Sequence, residues 1–198
     1  MKVTITPAPL QGSITPPPSK SQAHRVIIAA ALASGESLLR NLSPSQDITA
    51  TLGTMEALGA RFQWEGSTVR IQGIRPSGAC GPMDCGESGS TLRFLIPIAL
   101  AVAGGGTFRG HGRLMQRPQE PYFAIFREKG IAFSQRDDTL KVRGRLTPGV
   151  YTLPGNVSSQ FITGLLYALP LLEGDSQIRL TTALESSGYV DMTLDALG

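Results

Sequence analysis

Hydrophobic positions along the chain follow two periods. Three long apolar stretches, "VIIAAALA" after Arg25, "FLIPIALAVA" from Phe94 to Ala103 and "FITGLLYALP" after Gln160, read as buried helices. Between them lie short segments that alternate apolar and polar residues around polar turns, which is the strand and hairpin signal. Two of these segments superimpose. "ALGARFQWEGSTVRIQG" (Ala57 to Gly73) lies on "EKGIAFSQRDDTLKVRG" (Glu128 to Gly144) at an offset of 71, so that Gly59 meets Gly130, Phe62 meets Phe133 and Thr68 meets Thr139. Each copy predicts a helix end, a glycine stop and a β-hairpin.

Upstream of each hairpin a second pattern recurs: a short strand, a loop rich in Pro, Gly or Ser, and an apolar helix. Its copies are "SITPPPSKSQAHRVIIAAALA", "GPMDCGESGSTLRFLIPIALA" and "YTLPGNVSSQFITGLLYALP", with Arg25 and Arg93 each one turn into the helix at an offset of 68. A glycine-containing turn and another strand follow ("ESLLRNL", "GTFRGHG", "DSQIRLT"). The repeat therefore reads βαβαββ. The third copy stops inside its second helix, where "DALG" (Asp195 to Gly198) matches "EALG" (Glu56 to Gly59) at an offset of 139. A repeat halted there leaves strand edges and apolar surface uncovered, and the expectation is a piece of a longer protein.

The three loops carry the candidate chemistry. Pro18-Ser19-Lys20-Ser21, Gly86-Glu87-Ser88-Gly89-Ser90-Thr91 and Asn156-Val157-Ser158-Ser159-Gln160 each deliver the chain into a helix start. Free backbone N–H groups, the positive end of the helix dipole and serine hydroxyls suit a phosphate or carboxylate there. A Ser, Thr or Gly before a helix is by itself a plain cap. Three such loops in related repeats, with Lys20, Arg25 and Arg93 within a turn, predict one convergent anion site. The prolines from Pro16 to Pro18 stiffen the arm that holds Lys20 and Ser21 at the helix mouth. Each charge-assisted bond to a ligand oxygen contributes about 1.5 to 3 kcal/mol. A further basic loop, "GHGRLMQRPQEPY" (Gly110 to Tyr122), places Arg117 where its paired donors could clamp a carboxylate.

Composition narrows the classes. With 41% hydrophobic and 17% charged residues the chain has a globular composition. The longest apolar run is too short for a bilayer, and the N-terminus has no apolar signal core, so a cytoplasmic setting is expected with no membrane partner. A net charge of +3, dispersed and without interleaved aromatics, argues against nucleic acid. Cys80 and Cys85 have no histidine at ligand spacing, and are read as reduced thiols with no metal site. His24 is read as a helix residue and His111 as a turn residue, with no Ser-His-Asp arrangement.

"PSKSQAHR", "GESGSTLR", "QRP", "NVSSQF" and "ESSGYVDMT" together resemble the 3-phosphoshikimate 1-carboxyvinyltransferase (EPSP synthase) family, in its N-terminal half. The resemblance implies an EPSP-synthase-like inside-out α/β domain of three βαβαββ repeats, the third incomplete. Residues 1–12 would form a strand belonging to the other domain, and residues 13–198 the N-terminal substrate-binding domain. It implies transfer of the enolpyruvyl group of phosphoenolpyruvate to the 5-hydroxyl of shikimate 3-phosphate, by attack at C2 as C3 is protonated and then loss of phosphate. No cofactor or metal is implied. The full enzyme is expected to be a monomer.

By the same resemblance Lys20, Ser21, Arg25, Ser158, Ser159, Gln160, Ser186 and Tyr189 would contact shikimate 3-phosphate, and Lys20, Gly89, Arg93, Arg117 and Gln160 phosphoenolpyruvate. A small residue at Gly89 would matter for the inhibitor glyphosate. The proton-transfer residues fall in the other half, so this chain is expected to bind shikimate 3-phosphate without turnover. Glu87, Ser90 and Gln119 depart from the family pattern. Glu87 would repel anionic ligands unless paired or turned away. Two alternatives stand beside this reading: UDP-N-acetylglucosamine enolpyruvyl transferase, whose mobile-loop cysteine has no counterpart between Gly110 and Gln119, and a non-catalytic anion-binding module.

Overall fold

Serine side chains set where most of the helices begin. Ser19 accepts a hydrogen bond from the Gln22 amide at 3.2 Å and starts α1 (Lys20–Leu32), and Ser45 accepts from Ile48 at 3.3 Å ahead of α2 (Gln46–Ala57). In this computed structural model, which describes residues 2–4, 6–9, 11–75 and 81–198, the first repeat continues from α1 through β1 (Glu36–Leu39) and α2 to the hairpin β2 (Arg61–Glu65) and β3 (Thr68–Gln72). The sheet order is β1-β3-β2, all antiparallel, with Trp64 opposite Val69. Cys80, read from the sequence as a reduced thiol, lies outside the described residues.

The second repeat has every predicted element. It runs β4 (Met83–Asp84), α3 (Gly89–Ala103), β5 (Gly105–Arg109), α4 (Glu120–Lys129), β6 (Ala132–Arg136) and β7 (Thr139–Arg143), with sheet order β4-β5-β7-β6 and a parallel β4–β5 pair. The third comprises β8 (Gly149–Leu153) parallel to β9 (Ser176–Leu180), with α5 (Ser159–Ala168) between them and α6 (Ser187–Leu197) after.

One expected strand is not found. The first repeat should open with a strand at "SIT" (Ser13 to Thr15), yet this segment is in no sheet, and Ile14 is 93% exposed. The segment is three residues long and runs directly into Pro16, Pro17 and Pro18, which have no N–H to give a neighbouring strand.

Helices occupy the centre and sheets the outside, because α3 and α5 are apolar nearly all round whereas the strands alternate buried and open positions. α3 packs on α5 and α2, and α1 on α2 and α6. A polar seam crosses this centre. The buried His24 Nδ1 meets Thr51 Oγ1 at 2.8 Å, and Thr51 meets Thr91 Oγ1 at 2.7 Å, joining α1, α2 and α3. α3 packs on α5, and Arg25 of α1 reaches Thr163 of α5 and lies over Phe94 of α3, so the starts of these three helices face a common space.

Candidate anion site

Where those helix starts meet there is a cavity of about 360 Å³, lined by Ser21, Arg25, Ser90, Phe94, Val157, Ser158, Ser159, Gln160, Ser186 and Tyr189. Seven of the eight residues assigned from sequence to shikimate 3-phosphate are among them. No carboxylate lines it among the described residues. A larger hollow of about 750 Å³ lies between α2 and the β4–α3 loop, but Asp84 and Glu87 line it, so it suits an anion poorly.

Arg25 supplies the charge at the cavity floor. It is 3% exposed, and its guanidinium donates to Thr193 Oγ1 at 2.9 Å, to the Ser21 carbonyl at 2.8 Å and to the Tyr189 carbonyl at 2.9 Å, all uncharged acceptors. Burial pulls its pKa below the ordinary arginine value, and it stays protonated at neutral pH. The positive charge is therefore held in place without being neutralised, which is the condition that favours an incoming anion. The guanidinium also lies over the rings of Phe94 and Tyr189, at 5.3 and 5.6 Å.

The serines divide by role. Ser158 caps α5 by accepting from the Gln160 amide at 3.3 Å, so one hydroxyl both starts the helix and faces the cavity. Ser186 stands in the left-handed region at φ 59 and makes no cap bond to α6. Ser186 lines the cavity in this conformation, which non-glycine residues seldom adopt.

Gln160 joins this cavity to a second group. Its Nε2 donates to Ser90 Oγ at 3.0 Å, and its Oε1 accepts from Arg93 Nη1 at 2.8 Å. Arg93 reaches on to the Pro118 carbonyl at 3.1 Å and lies over Phe161 at 4.6 Å. At Gly89 a Cβ would stand 2.9 Å from Arg117 Nη1 and 3.7 Å from Gln160 Oε1. Gly89, Arg93, Arg117 and Gln160, four of the five residues assigned to phosphoenolpyruvate, are thus brought together, and the fifth, Lys20, is not.

Lys20 stands apart. Its Nζ is 2.6 Å from Asp47 Oδ2 on α2, and it does not line the cavity. Glu87 is turned away from the site. Its carboxyl lies against Gly112, where a Cβ would meet it at 2.7 Å, and it faces the larger hollow. His24 is a helix residue, held neutral by burial with its pKa lowered to about 4, and His111 is a loop residue paired with Asp84 at 2.9 Å. Cys85 is a free buried thiol whose pKa burial pushes up to about 12. Among the described residues no cluster of His, Cys, Asp and Glu could hold a metal ion.

Sequence reasoning missed Asp47, Phe94, Thr163 and Thr193. Thr193 is 168 residues from the arginine it holds, and no local pattern announces such a pair. Asp47 follows the Ser45 cap, where an acidic residue needs no reason beyond the helix dipole.

A family model, EPSP synthase (3-phosphoshikimate 1-carboxyvinyltransferase), matches residues 5–198. The chain belongs to this family. It is 48% identical over 200 residues to the 3-phosphoshikimate 1-carboxyvinyltransferase of Clostridium perfringens (strain SM101 / Type A), covering 99% of this chain and 47% of the relative. To the enzyme of that name from Clostridium acetobutylicum it is 50% identical over 202 residues, again 47% of the relative. The chain spans about half the length of the curated relatives it matches. An EPSP synthase structure from Acinetobacter baumannii shares the fold with a TM-score of 0.76 at 24% identity, over 92% of this chain and 42% of that one.

Proposed function

We propose that this chain forms the shikimate 3-phosphate-binding part of a 3-phosphoshikimate 1-carboxyvinyltransferase. The reaction joins the 5-hydroxyl oxygen of shikimate 3-phosphate to C2 of phosphoenolpyruvate while C3 takes a proton. Phosphate then leaves with the C2–O bond electrons as a proton is lost from C3, regenerating the double bond. The observation that carries this reading is the convergence of Ser21, Arg25, Ser158, Ser159, Gln160, Ser186 and Tyr189 on one cavity with no carboxylate in its lining. Serine hydroxyls and the Arg25 charge would take the 3-phosphate, and Tyr189 and Phe94 would flank the ring. Gly89, Arg93, Arg117 and Gln160 would receive phosphoenolpyruvate beside it, with Lys20 leaving Asp47 to join them.

Their task is to neutralise clustered negative charge away from water. Proton transfer is assigned to residues in the half of the family's length that this chain does not span, with which residues 1–12 would also pair. The chain alone therefore binds the first substrate weakly and releases no phosphate, and the whole enzyme works in the cytoplasm on two small molecules.

The test is calorimetric titration of the chain with shikimate 3-phosphate, with Lys20→Ala and Ser159→Ala as controls and a phosphate-release assay alongside. Ser159→Ala should weaken binding about tenfold or more, the loss of one bond to an ionised ligand, and no turnover should be seen. No binding by the parent chain would remove this reading and leave the cavity to another anion.

A further inference from the structure

We infer that Tyr122 is a positioning residue for the Gly89–Arg117–Gln160 end of the site, a role that rests on the function proposed for that site. Pro97 lies inside α3. A helical carbonyl bonds the N–H four residues on, and for Arg93 that residue is Pro97, which has none. The Tyr122 hydroxyl supplies the missing donor. It lies 2.7 Å from the Arg93 carbonyl and 3.0 Å from the Phe161 carbonyl, so one fully buried group from α4 bridges α3 and α5.

The space for it is made by Gly164 on α5. A Cβ there would run into the Tyr122 hydroxyl and stand 2.6 Å from the Arg93 carbonyl and 2.9 Å from Pro97 Cγ. The tyrosine ring is held independently, edge-on to Phe161 at 4.9 Å and stacked on Phe126 at 6.0 Å. What the hydroxyl fixes is the backbone of Arg93. That residue's guanidinium ties Gln160 at 2.8 Å to the Pro118 carbonyl at 3.1 Å, next to Arg117. The Arg93 side chain therefore starts from a backbone position that Tyr122 sets, and the residues around Gly89 are placed through it. Ser186 lies on a different element, at the start of α6, whereas Ser158 and Ser159 share α5 with the Phe161 carbonyl that the same hydroxyl meets.

The test compares the parent chain with Tyr122→Phe, which keeps the ring and removes the donor, and with Ile71→Val, a core change in β3, a strand with no residue in the cavity lining. Nuclear magnetic resonance follows the Arg93 Nε–H, the Gln160 side-chain amide and the Gly89 amide, first without ligand and then during titration with phosphoenolpyruvate and, separately, shikimate 3-phosphate. Tyr122→Phe should move the Arg93 and Gln160 signals. It should weaken phosphoenolpyruvate at Gly89 by about five- to tenfold, the size of one lost hydrogen bond, and weaken shikimate 3-phosphate, which shares Gln160 but not Gly89, Arg93 or Arg117, by clearly less. Ile71→Val should do none of this. Unmoved Arg93 and Gln160 signals, or an equal loss for both ligands, would overturn the inference. If the parent chain shows no response to either ligand, the proposed function fails, and the ligand-free signals still decide whether Tyr122 places Arg93.

Discussion

At the scale of single residues, the site keeps charge available by holding two of its cations, Arg25 and Arg93, with neutral partners. Arg25 is the clearest case, because Thr193, Thr163, Tyr189 and Ser21 hold it and no acid does. Arg25→Ala should lower stability by about 2 to 4 kcal/mol, because buried hydroxyl and carbonyl groups lose their donor, and should abolish shikimate 3-phosphate binding. Arg25→Lys should recover part of the stability and little of the binding, since one ammonium cannot serve the same fan of acceptors. Urea denaturation beside calorimetry separates the two effects. Gly89 behaves oppositely. The nearest atom to an added Cβ is the far end of Arg117 at 2.9 Å, which can swing aside, so Gly89→Ala should leave the melting temperature nearly unchanged while phosphoenolpyruvate affinity falls. A large drop in melting temperature would mean that the backbone, and not Arg117, meets the new methyl group.

At the scale of elements, α3 and α5 form the most intimate contact in the molecule, and Gly164 sets their separation. Gly164→Ala places a methyl 2.6 Å from the Arg93 carbonyl, a backbone atom that cannot swing away, and should cost stability at the upper end of about 1 to 3 kcal/mol. Its melting curve should show this, and an unchanged midpoint would contradict the close approach. Elements were largely legible in the sequence because their signals are local. The serines before α1, α3 and α5 announce helix starts, and the 71-residue offset between Gly59 and Gly130 exposes the hairpins. The loops could be named as anion candidates for the same reason. What could not be read is what crosses repeats. Tyr122 reaching a carbonyl left open by Pro97, Thr193 holding Arg25 and Asp47 pairing with Lys20 all depend on how helices lie against one another, which no spacing in the chain encodes. The strand expected at Ser13 to Thr15 failed for a related reason: a strand needs a partner edge as well as a suitable sequence.

At the scale of the whole molecule, the helices of the first two repeats are joined through the His24–Thr51–Thr91 seam, and that makes the fold sensitive to mild acid. His24 is 2% exposed, and burial lowers its pKa from 6.5 to about 4, outweighing the nearby Asp47. Between those two values the unfolded chain takes up a proton that the folded chain excludes, so stability declines as pH falls through this window. The loss amounts to about 3 kcal/mol at most by pH 4. Asp84, Glu120 and Asp138 are held below their ordinary values of 3.8 to 4.5 by hydrogen bonds from His111, Arg127 and Thr139, and their contributions are lost only further into acid. Urea midpoints measured from pH 7 to pH 4.5 should therefore fall for the parent chain and stay nearly level for His24→Asn, whose side chain can still meet Thr51 but takes up no proton. A parent midpoint that is flat across this range would show that the seam admits the charged imidazole, and the burial of His24 between α1, α2 and α3 would then be looser than its hydrogen bonds indicate.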